Sequence, residues 1–462
     1  MNKIKVFLIL AGLCILVYAN SLRGSFVSDD TEIMTNEAKV SSFSQTCKDL
    51  PSMLYTVGYK IGKFNPIPHH MISLILHIIV TCAVFSFLGL FFGANASLMG
   101  AIIFALHPIH TEAVSWISGR PYILIALFTL LPYLIYHEAT KGKFKLGLYL
   151  LSVIMCFYWS GQGNGVGFYS SFPLFIVIMD MYFGKVEKNK LLWIPFFMII
   201  MFSFVGQGGS IESRIASQSG SSLLGWIIDF TDGGFIFWWV NGVFSLGTNL
   251  KLLLLPLNLT IFHEPFIINV IQMKYWLLTG ITSLLLLPFF FIGYGVIKKT
   301  YLIVALFTLW LLPTFSPIRI ASLVADRYLY LPTVCLCMFI AMLFETKIPK
   351  KPFVCLFVCL CIFYSVRTVM RNSDYSSPLV YWTKTAKASP HSYRAHNNLG
   401  IELIKLKEYS QAEIAFKHSL LSKPNHYQAI DNLKILAKLQ GKTIKKIEFK
   451  NNPKFNMDFT KE

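Results

Sequence analysis

About twelve apolar segments, several of them long enough to cross a membrane, follow one another between residues 4 and 368. This feature constrains the fold most, because an α-helix needs about 20 apolar residues to cross a bilayer. Hydrophobic residues make up 55% of the chain and charged residues only 14%. A soluble domain cannot bury that much apolar surface, so the sequence predicts an all-α, polytopic membrane protein.

The polar loops between these segments predict how the chain threads the membrane. Short basic loops lie at 141–145, 184–190, 298–299 and 347–351, and the positive-inside rule predicts that all four are cytoplasmic. All four loops can lie on the cytoplasmic side only if one of the apolar segments between them does not cross the membrane. Segment 235–256 contains the interruptions "NG" and "GTN", so we expect it to be re-entrant or broken. The result is about 11 transmembrane helices plus this segment.

Charge and cysteine usage exclude two other classes of protein. The formal net charge is +18, and in a membrane protein Lys and Arg collect in cytoplasmic loops and at bilayer surfaces, so no nucleic-acid partner is predicted. Eight of the nine cysteines lie in apolar segments, where they resemble small hydrophobic residues, and no disulfide framework is expected. The first apolar run, 4–19, is interpreted as a retained helix with a cytoplasmic N-terminus.

The unusual polar residues gather in the loops predicted to be extracytoplasmic. They are Asp29, Asp30, His107, His110, Glu112, Arg120, His263, Glu264, Asp326 and Arg327. The adjacent acids at 29 and 30 suit a solvated loop, a cation site or a catalytic base. The cluster 107–120 suits hydrogen-bonded interfacial side chains, a metal site disturbed by Pro108, or a pocket in which Arg120 binds a phosphate.

The pair Asp326 and Arg327 has two interpretations of its own. An ionisable pair beside a membrane segment is costly and is a functional hypothesis by default. The alternative is an interfacial pair with Tyr328 and Tyr330 as part of an aromatic belt. His263 and Glu264 give a weaker signal and favour a structural role.

The C-terminal region has a different composition and a 34-residue pattern. From Tyr393, the spacing of Leu399, Gly400, Tyr409, Ala412, Phe416 and Pro424 is typical of a tetratricopeptide repeat, in which two antiparallel helices pack closely. Three domains are predicted: a membrane domain at 1–368, a short tetratricopeptide-repeat domain at 369–441 with its full repeat at 393–426, and a basic tail at 442–462.

Several motifs occur together and in a family-specific order. They are "FVSDDTEIMTN", "NPIPHHMISLILH", "ALHPIHTEAVSWISGR", "LPLNLT", "ADRYLYLP" and "RAHNNLG". The chain resembles the transmembrane and tetratricopeptide-repeat-containing O-mannosyltransferases and their bacterial relatives, as a bacterial-type member of that group within the GT-C superfamily of glycosyltransferases. The resemblance covers nearly the whole chain.

That resemblance implies an enzyme that moves a sugar from a polyprenyl-phosphate donor to a hydroxyl of a protein or glycan, with inversion. It implies that an acid of the Asp29–Asp30 pair is the general base, with Asp29 favoured, and that Arg327 and Arg120 face the leaving phosphate. His107, His110 and Glu112 would shape the pocket. The remaining substrate-binding residues that it implies are His70, Asp326, His263 and Glu264. No metal ligand or cofactor is required, although some GT-C enzymes bind a divalent metal.

The resemblance also has departures and a second interpretation. The family usually carries a Lys-Glu pair where this chain has Gln162 and Gly163, and its usual Arg is missing from the first long loop. A catalytically degenerate scaffold that binds protein partners through its repeats is therefore the alternative function. We expect a multi-pass protein of a bacterial cytoplasmic membrane, with the endoplasmic reticulum as alternative and the repeats on the extracytoplasmic side.

Overall fold

The computed structural model describes residues 2–47, 49–160, 171–206, 235–263, 294–315, 324–346, 349–441, 446–447 and 457–458. The α-helices are α1 Lys3–Tyr18, α2 Asp29–Thr35, α3 Glu37–Ser41, α4 Phe43–Thr46, α5 Leu50–Gly62, α6 Pro66–Leu88, α7 Ala94–Leu106, α8 Thr111–Ser115, α9 Arg120–Thr140, α10 Leu146–Ser160, α11 Phe172–Phe183, α12 Val186–Asn189, α13 Ile194–Gly206, α14 Phe235–Leu254, α15 Tyr294–Leu311, α16 Thr333–Glu345, α17 Lys350–Asn372, α18 Pro378–Ala388, α19 Tyr393–Lys405, α20 Tyr409–Ser422 and α21 Tyr427–Leu439.

Short 3-10 helices and one small strand pair complete the described backbone. The 3-10 helices are Ala19–Arg23, Pro108–His110, Ile117–Gly119, Lys190–Trp193, Leu312–Phe315, Asp326–Leu329 and Ser373–Tyr375. The strands β1 Lys446–Ile447 and β2 Met457–Asp458 pair antiparallel. The helical architecture predicted from sequence is confirmed; within the described ranges, the β-pairing is limited to this two-residue ladder and an isolated bridge between His263 and Val324.

Five helical stretches are long and apolar enough to cross a membrane. They are Lys3–Arg23, Pro66–Leu88, Ile117–Thr140, Ile297–Thr314 and Lys350–Tyr375, and the bent pair formed by Ala94–Leu106 and Pro108–Ser115 makes up to six. Helices α10, α11 and α16 are apolar but shorter. A multi-pass membrane protein is therefore supported, whereas the full number of about 11 spans stays a prediction.

The break expected in segment 235–256 is absent. The structure has one continuous helix there, Phe235–Leu254. Asn and Gly weaken a helix by about 1 kcal/mol or less but, unlike Pro, they do not remove a hydrogen bond. The bend lies instead between α7 and the segment after Pro108, where the axis turns by 46°. The other form of the prediction, that this segment re-enters the membrane and leaves by the same face, stays a prediction.

The core of the bundle is formed by closely packed apolar helices. Leu88, Phe104 and Cys337 are fully buried within the largest apolar cluster. Helices α7 and α16 approach so closely that a Cβ on Gly100 would lie 2.7 Å from the Cys337 carbonyl oxygen. Glycine is therefore required at this contact, because any side chain would push the two helices apart.

One polar side chain, Asn372, joins three helices that are distant in sequence. Asn372, at the end of α17, donates through Nδ2 to the Val17 carbonyl of α1 at 2.8 Å. Its Oδ1 accepts from the Ser115 hydroxyl of α8 at 2.8 Å. One turn earlier, the Thr368 hydroxyl donates to the Leu106 carbonyl at 2.7 Å. These bonds satisfy helix-end carbonyls that would otherwise be unpaired.

The C-terminal helices α18 to α21 pack on one another and, through α18, on the rest of the bundle. A Cβ on Gly400 would lie 2.5 Å from the Phe416 ring, which shows how closely α19 and α20 approach. In α18, Tyr381 and Trp382 are buried in a cluster with Val27 and Trp116. The assignment of these helices as tetratricopeptide repeats, and the predicted domain boundaries, stay predictions.

Candidate functional site

The two adjacent acids occupy different environments at the start of α2. Ser28, just before them, has φ 53° and ψ −128°, an unusual conformation for a residue with a side chain. Successive residues of a helix point about 100° apart, so the side chains at 29 and 30 diverge. Asp30 is fully buried, whereas Asp29 is exposed. In the sequence, Asp29 and Asp30 look like one acidic pair. In the structure, the helix directs their side chains into different environments.

The Asp30 carboxylate is a hydrogen-bonding hub. Its Oδ1 accepts from the Ser118 amide at 2.7 Å and the Ser118 hydroxyl at 2.5 Å. The Tyr55 hydroxyl donates to the same oxygen at 3.1 Å, and the Val27 amide lies 3.4 Å from Oδ2. Four donors from three segments of the chain therefore converge on this side chain, and they fix the loop around Ser118 against α2.

Burial dominates the electrostatics of Asp30. Loss of hydration raises the pKa of this carboxyl from its ordinary 3.8 to about 6. The hydrogen bonds from Ser118 and Val27, together with the charge of Arg120, favour the carboxylate and offset part of that increase. Burial, followed by the negative charge of Asp30, raises the pKa of Tyr55, which therefore stays a hydrogen-bond donor.

Arg327 and Glu112 form a buried ion pair. The Glu112 Oε1 lies 2.5 Å from the Arg327 Nη1, and the Glu112 Oε2 accepts from the Arg327 amide at 2.8 Å. The side chain of Glu112 is completely buried and that of Arg327 is only 8% exposed. Two buried charges are stable together when they are paired and hydrogen-bonded, so Glu112 fixes the position of the guanidinium.

Aromatic rings surround the Arg327 guanidinium on several sides. Its Cζ lies 5.0 Å from the Tyr328 ring centre and 5.7 Å from those of Trp116 and Tyr122. The Arg327 Nε also donates to the Tyr122 hydroxyl at 3.3 Å. Ring faces attract a cation, so this cage holds the positive charge in place while water is mostly excluded.

A cleft of about 240 Å³, named here the arginine cleft, brings an acid and a cation together. It is lined by Asp29, Trp116, Ser118, Pro121, Tyr122, Ile125 and Arg327. Asp29 is therefore on the same cleft as Arg327, although the sequence separates them by almost the entire membrane region. In such a cleft the carboxylate can take a proton from a hydroxyl group, and the guanidinium can bind an anion.

Arg120 lies in a different place from Arg327. It is buried, and its guanidinium donates to the Ser73 hydroxyl at 3.0 Å and to the His69 carbonyl at 2.7 Å. It lines a second cleft of about 530 Å³ and is absent from the lining of the arginine cleft. The two arginines that sequence assigned to one phosphate therefore belong to separate clefts.

The predicted histidines are buried among packed side chains. His107 bonds through Nε2 to the Leu253 carbonyl at 2.8 Å, and its Nδ1 accepts from the Ile109 amide. The His110 ring packs against Phe104 with 4.3 Å between ring centres. His70 lies so close to Gly24 that a Cβ there would be 2.9 Å from Nε2. None of the three lines either of the two clefts.

The remaining predicted residues either pair with each other or cannot be placed. Asp326 is completely buried, and its Oδ1 lies 2.6 Å from the Nε2 of His263. Glu264, Gln162 and Gly163 lie outside the described residues. Within the described part of the chain, His, Cys, Asp and Glu form no group of three or more arranged to hold a metal ion.

Sequence reasoning missed the uncharged members of the site. Ser118 borders both clefts and holds Asp30, and Tyr55 bonds to Asp30 and to the Ser118 hydroxyl at 2.6 Å. Tyr122 and Trp116 form part of the cage around Arg327. Ser and aromatic residues are common in membrane proteins, so only their position inside the "HTEAVSWISGR" motif could have drawn attention to Ser118 and Trp116.

Comparison with known proteins yields consistent relatives. No protein-family model matches the chain. Protein O-mannosyl-transferase F38B6.6 of Caenorhabditis elegans is 23% identical over 429 residues, which cover 86% of this chain and 60% of that protein. Human protein O-mannosyl-transferase TMTC3 is 23% identical over 89% of this chain and 50% of its own length. Human protein O-mannosyl-transferase TMTC4 is 27% identical over 176 residues, 30% of this chain and 24% of that protein.

These relatives confirm the resemblance found in the motifs. The chain spans about half to three-fifths of the two relatives that match it over most of its length. All three relatives are named protein O-mannosyl-transferases. A specifically bacterial relationship stays a prediction. The chain is therefore similar, over most of its length, to the transmembrane and tetratricopeptide-repeat-containing protein O-mannosyltransferases.

Proposed function

We propose that this protein is a membrane glycosyltransferase that moves mannose from a polyprenyl-phosphate donor to a hydroxyl group of a protein on the extracytoplasmic face. The observation that supports this proposal best is the presence of Asp29 and Arg327 on one cleft. The names of the relatives supply the sugar and the protein acceptor. The donor class comes from the resemblance to GT-C enzymes.

The proposed reaction is a single displacement with inversion. The Asp29 carboxylate takes the proton of the acceptor hydroxyl, and the oxygen forms a bond to the anomeric carbon of mannose. The bond from that carbon to the phosphate oxygen breaks, and its electron pair leaves with the polyprenyl phosphate. A correctly placed general base contributes about 10²- to 10⁴-fold to a rate of this kind.

Arg327 is proposed to stabilise the negative charge that develops on the leaving phosphate. Its guanidinium is fixed by Glu112 and Tyr122 before substrate arrives, and such preorganised charge lowers a barrier without reorganisation during the reaction. Because this cation belongs to the chain itself, we propose that no metal is required. Transfer measured with a chelator present, with and without added divalent cations, tests this part of the proposal.

The walls of the arginine cleft suit a lipid-linked donor. Tyr122 and Ile125 belong to Ile117–Thr140, a helix long and apolar enough to span the membrane. A donor whose chain lies in the bilayer would reach Arg327 along that helix. Asp30 is fully buried, and four donors already occupy its carboxylate. We therefore propose that Asp30 is not the base and that it positions Ser118 and α2.

The test uses purified full-length protein, polyprenyl-phosphate mannose and a synthetic peptide rich in serine and threonine. We expect Asp29→Asn to lower the transfer rate by about 10²- to 10⁴-fold at unchanged thermal stability. The matched control is Asp431→Asn, an exposed acid on α21, which should transfer at the native rate. Equal rates for Asp29→Asn and Asp431→Asn would refute the assignment of Asp29 as base.

The same assay decides between an enzyme and a scaffold. A native protein that is folded, yet transfers no sugar from any polyprenyl-phosphate donor, would overturn the enzymatic proposal. A partner captured through residues 393–426 in that case would favour the non-catalytic alternative.

A further inference from the structure

The second cleft lies directly beside the arginine cleft. It has a volume of about 530 Å³, and its lining includes Ile33, Thr35, Asn36, Val40, Ser52 and Arg120. The two clefts share Ser118 and Pro121. Ser118 and Pro121 therefore lie between the larger cleft and the space beside Asp29.

The two clefts are reached from different surroundings. Most of the lining of the larger cleft belongs to α2, α3, α4 and α5, and none of these helices lies in a stretch able to span a membrane. Only the first residues of the membrane-capable stretch Ile117–Thr140 line the larger cleft, whereas the arginine cleft continues along that stretch to Tyr122 and Ile125. The larger cleft therefore suits a water-soluble ligand, and the smaller one a ligand that arrives from the bilayer.

The chemistry of the larger cleft resembles that of a peptide-binding surface. The lining combines the hydroxyl and amide groups of Thr35, Asn36 and Ser52 with the aliphatic side chains of Ile33 and Val40. Such a surface provides hydrogen bonds to peptide groups and apolar contact to side chains. Its volume lies within the range of about 300–1,000 Å³ that is usual for ligand clefts.

Arg120 supplies an independent indication of a ligand. Its Nε and Nη2 are bonded to Ser73 and to His69, whereas its buried Nη1 has no hydrogen-bond partner among the described residues. A buried donor without a partner is unfavourable, and a peptide carbonyl in the cleft would satisfy it.

We propose that this larger cleft binds the acceptor polypeptide in an extended conformation, with its serine or threonine side chain directed past Ser118 towards Asp29. Arg120 then contacts the acceptor backbone, and Arg327 alone faces the donor phosphate. This inference rests on the proposed transfer of sugar to protein.

The experiment fills the cleft from two independent positions. Thr35→Trp and Ser52→Trp each place a large ring in the cleft; Thr35 is exposed, and the bond from the Ser52 amide to Asp49 does not involve its side chain. With the peptide and polyprenyl-phosphate mannose, we expect the KM for peptide to rise at least tenfold in both variants, with the KM for donor changed by less than twofold. Gln45→Trp, exposed on α4 and outside the lining, is the matched control and should keep the native KM for both substrates.

A second measurement does not depend on turnover. The same peptide with a photoreactive side chain is expected to label residues 32–52 of the native protein and to lose that labelling in both Trp variants. Two results would show that the larger cleft does not bind the acceptor: an unchanged KM for peptide in both Trp variants, or labelling confined to the C-terminal helices. Neither result would contradict the proposed sugar transfer. Specific labelling of 32–52 without any transfer would support the cleft and contradict the enzymatic proposal. Labelling displaced by a soluble glycan but not by peptide would overturn the choice of a polypeptide.

Discussion

The side chains of Glu112 and Arg327 meet inside the protein, with 2.5 Å between Oε1 and Nη1, although 215 residues separate them along the chain. This contact joins the "HPIHTEAV" and "DRYLYLP" motifs into one unit. The same arginine lines the cleft that contains Asp29. The pair therefore connects three stretches that were singled out separately in the sequence.

Removing the carboxylate of this pair is expected to destabilise the protein strongly. Glu112→Gln leaves Arg327 buried without a counter-charge, which typically costs about 3–5 kcal/mol. Thermal unfolding in detergent micelles measures the effect. Glu138→Gln breaks the exposed pair with Lys145 and is the matched control, for which little change is expected. Similar melting temperatures for the two variants would show that the buried pair contributes no more than a surface pair.

The contact between Asp30 and Ser118 is expected to appear as an energetic coupling. Asp30→Asn and Ser118→Ala remove the two partners of one hydrogen bond to a carboxylate, so their effects on unfolding should be non-additive by about 1.5–3 kcal/mol. Asp180 serves as the control because it bonds to Tyr136, about 24 Å along α9 from Arg120. Ser118→Ala combined with Asp180→Asn should be additive, and an equal coupling in both cycles would contradict the assignment.

The pH dependence of stability follows from the buried position of Asp30. Its folded pKa of about 6 lies above its ordinary 3.8, so between these values the folded state binds more protons than the unfolded state. The stabilisation from the neutral carboxyl is complete below about pH 4 and is lost as the pH rises through 6, by about 3 kcal/mol in total.

Unfolding of the native protein and of Asp30→Asn between pH 4 and pH 7 measures this contribution. The native protein is expected to lose stability relative to the variant over that interval, because the amide does not titrate. Parallel curves for the two proteins would mean that Asp30 titrates at its ordinary pKa. Glu402→Gln removes an acid of α19 that lines neither cleft, and it controls for the general effect of removing one acid.

The contact between α19 and α20 is expected to depend on a single glycine. A methyl group at Gly400 would lie 2.5 Å from the fully buried Phe416 ring, and overpacking of this kind costs about 1–3 kcal/mol. Gly400→Ala should therefore lower the melting temperature. Gly147→Ala in α10 meets no atom within 4 Å and should be neutral or slightly stabilising. A gain of stability at Gly400 would show that the two helices separate easily.

The apolar helices were predictable because their signal is local. The first segment was expected at 4–19, and the helix runs over Lys3–Tyr18. A helix in lipid needs only length and apolar composition, and both can be read from one stretch of sequence. The break predicted in 235–256 was wrong because glycine and asparagine only weaken a helix, whereas the bend at Pro108 has a covalent cause.

The charged residues near the clefts could be picked out from the sequence. Which acid is buried, and which arginine lines which cleft, could not. Two neighbouring aspartates look equivalent in sequence, and the conformation of Ser28 directs one inward and leaves the other exposed. Arg120 and Arg327 were equal candidates for one phosphate, and only the packing of distant helices places them on separate clefts. Ser118 and Tyr55 carry no local signal, since their importance arises from contacts with Asp30.

The bonds made by Asn372 determine when the site can be completed during synthesis. Because this residue joins the ends of α1 and α8, about 350 residues of chain must leave the ribosome before the first helix receives its last partner. Until then the Val17 carbonyl and the Ser115 hydroxyl lack this shared partner at one end of the bundle. A chain halted before residue 372 would contain every residue that lines the two clefts but would lack the bonds by which Asn372 joins α1 to α8.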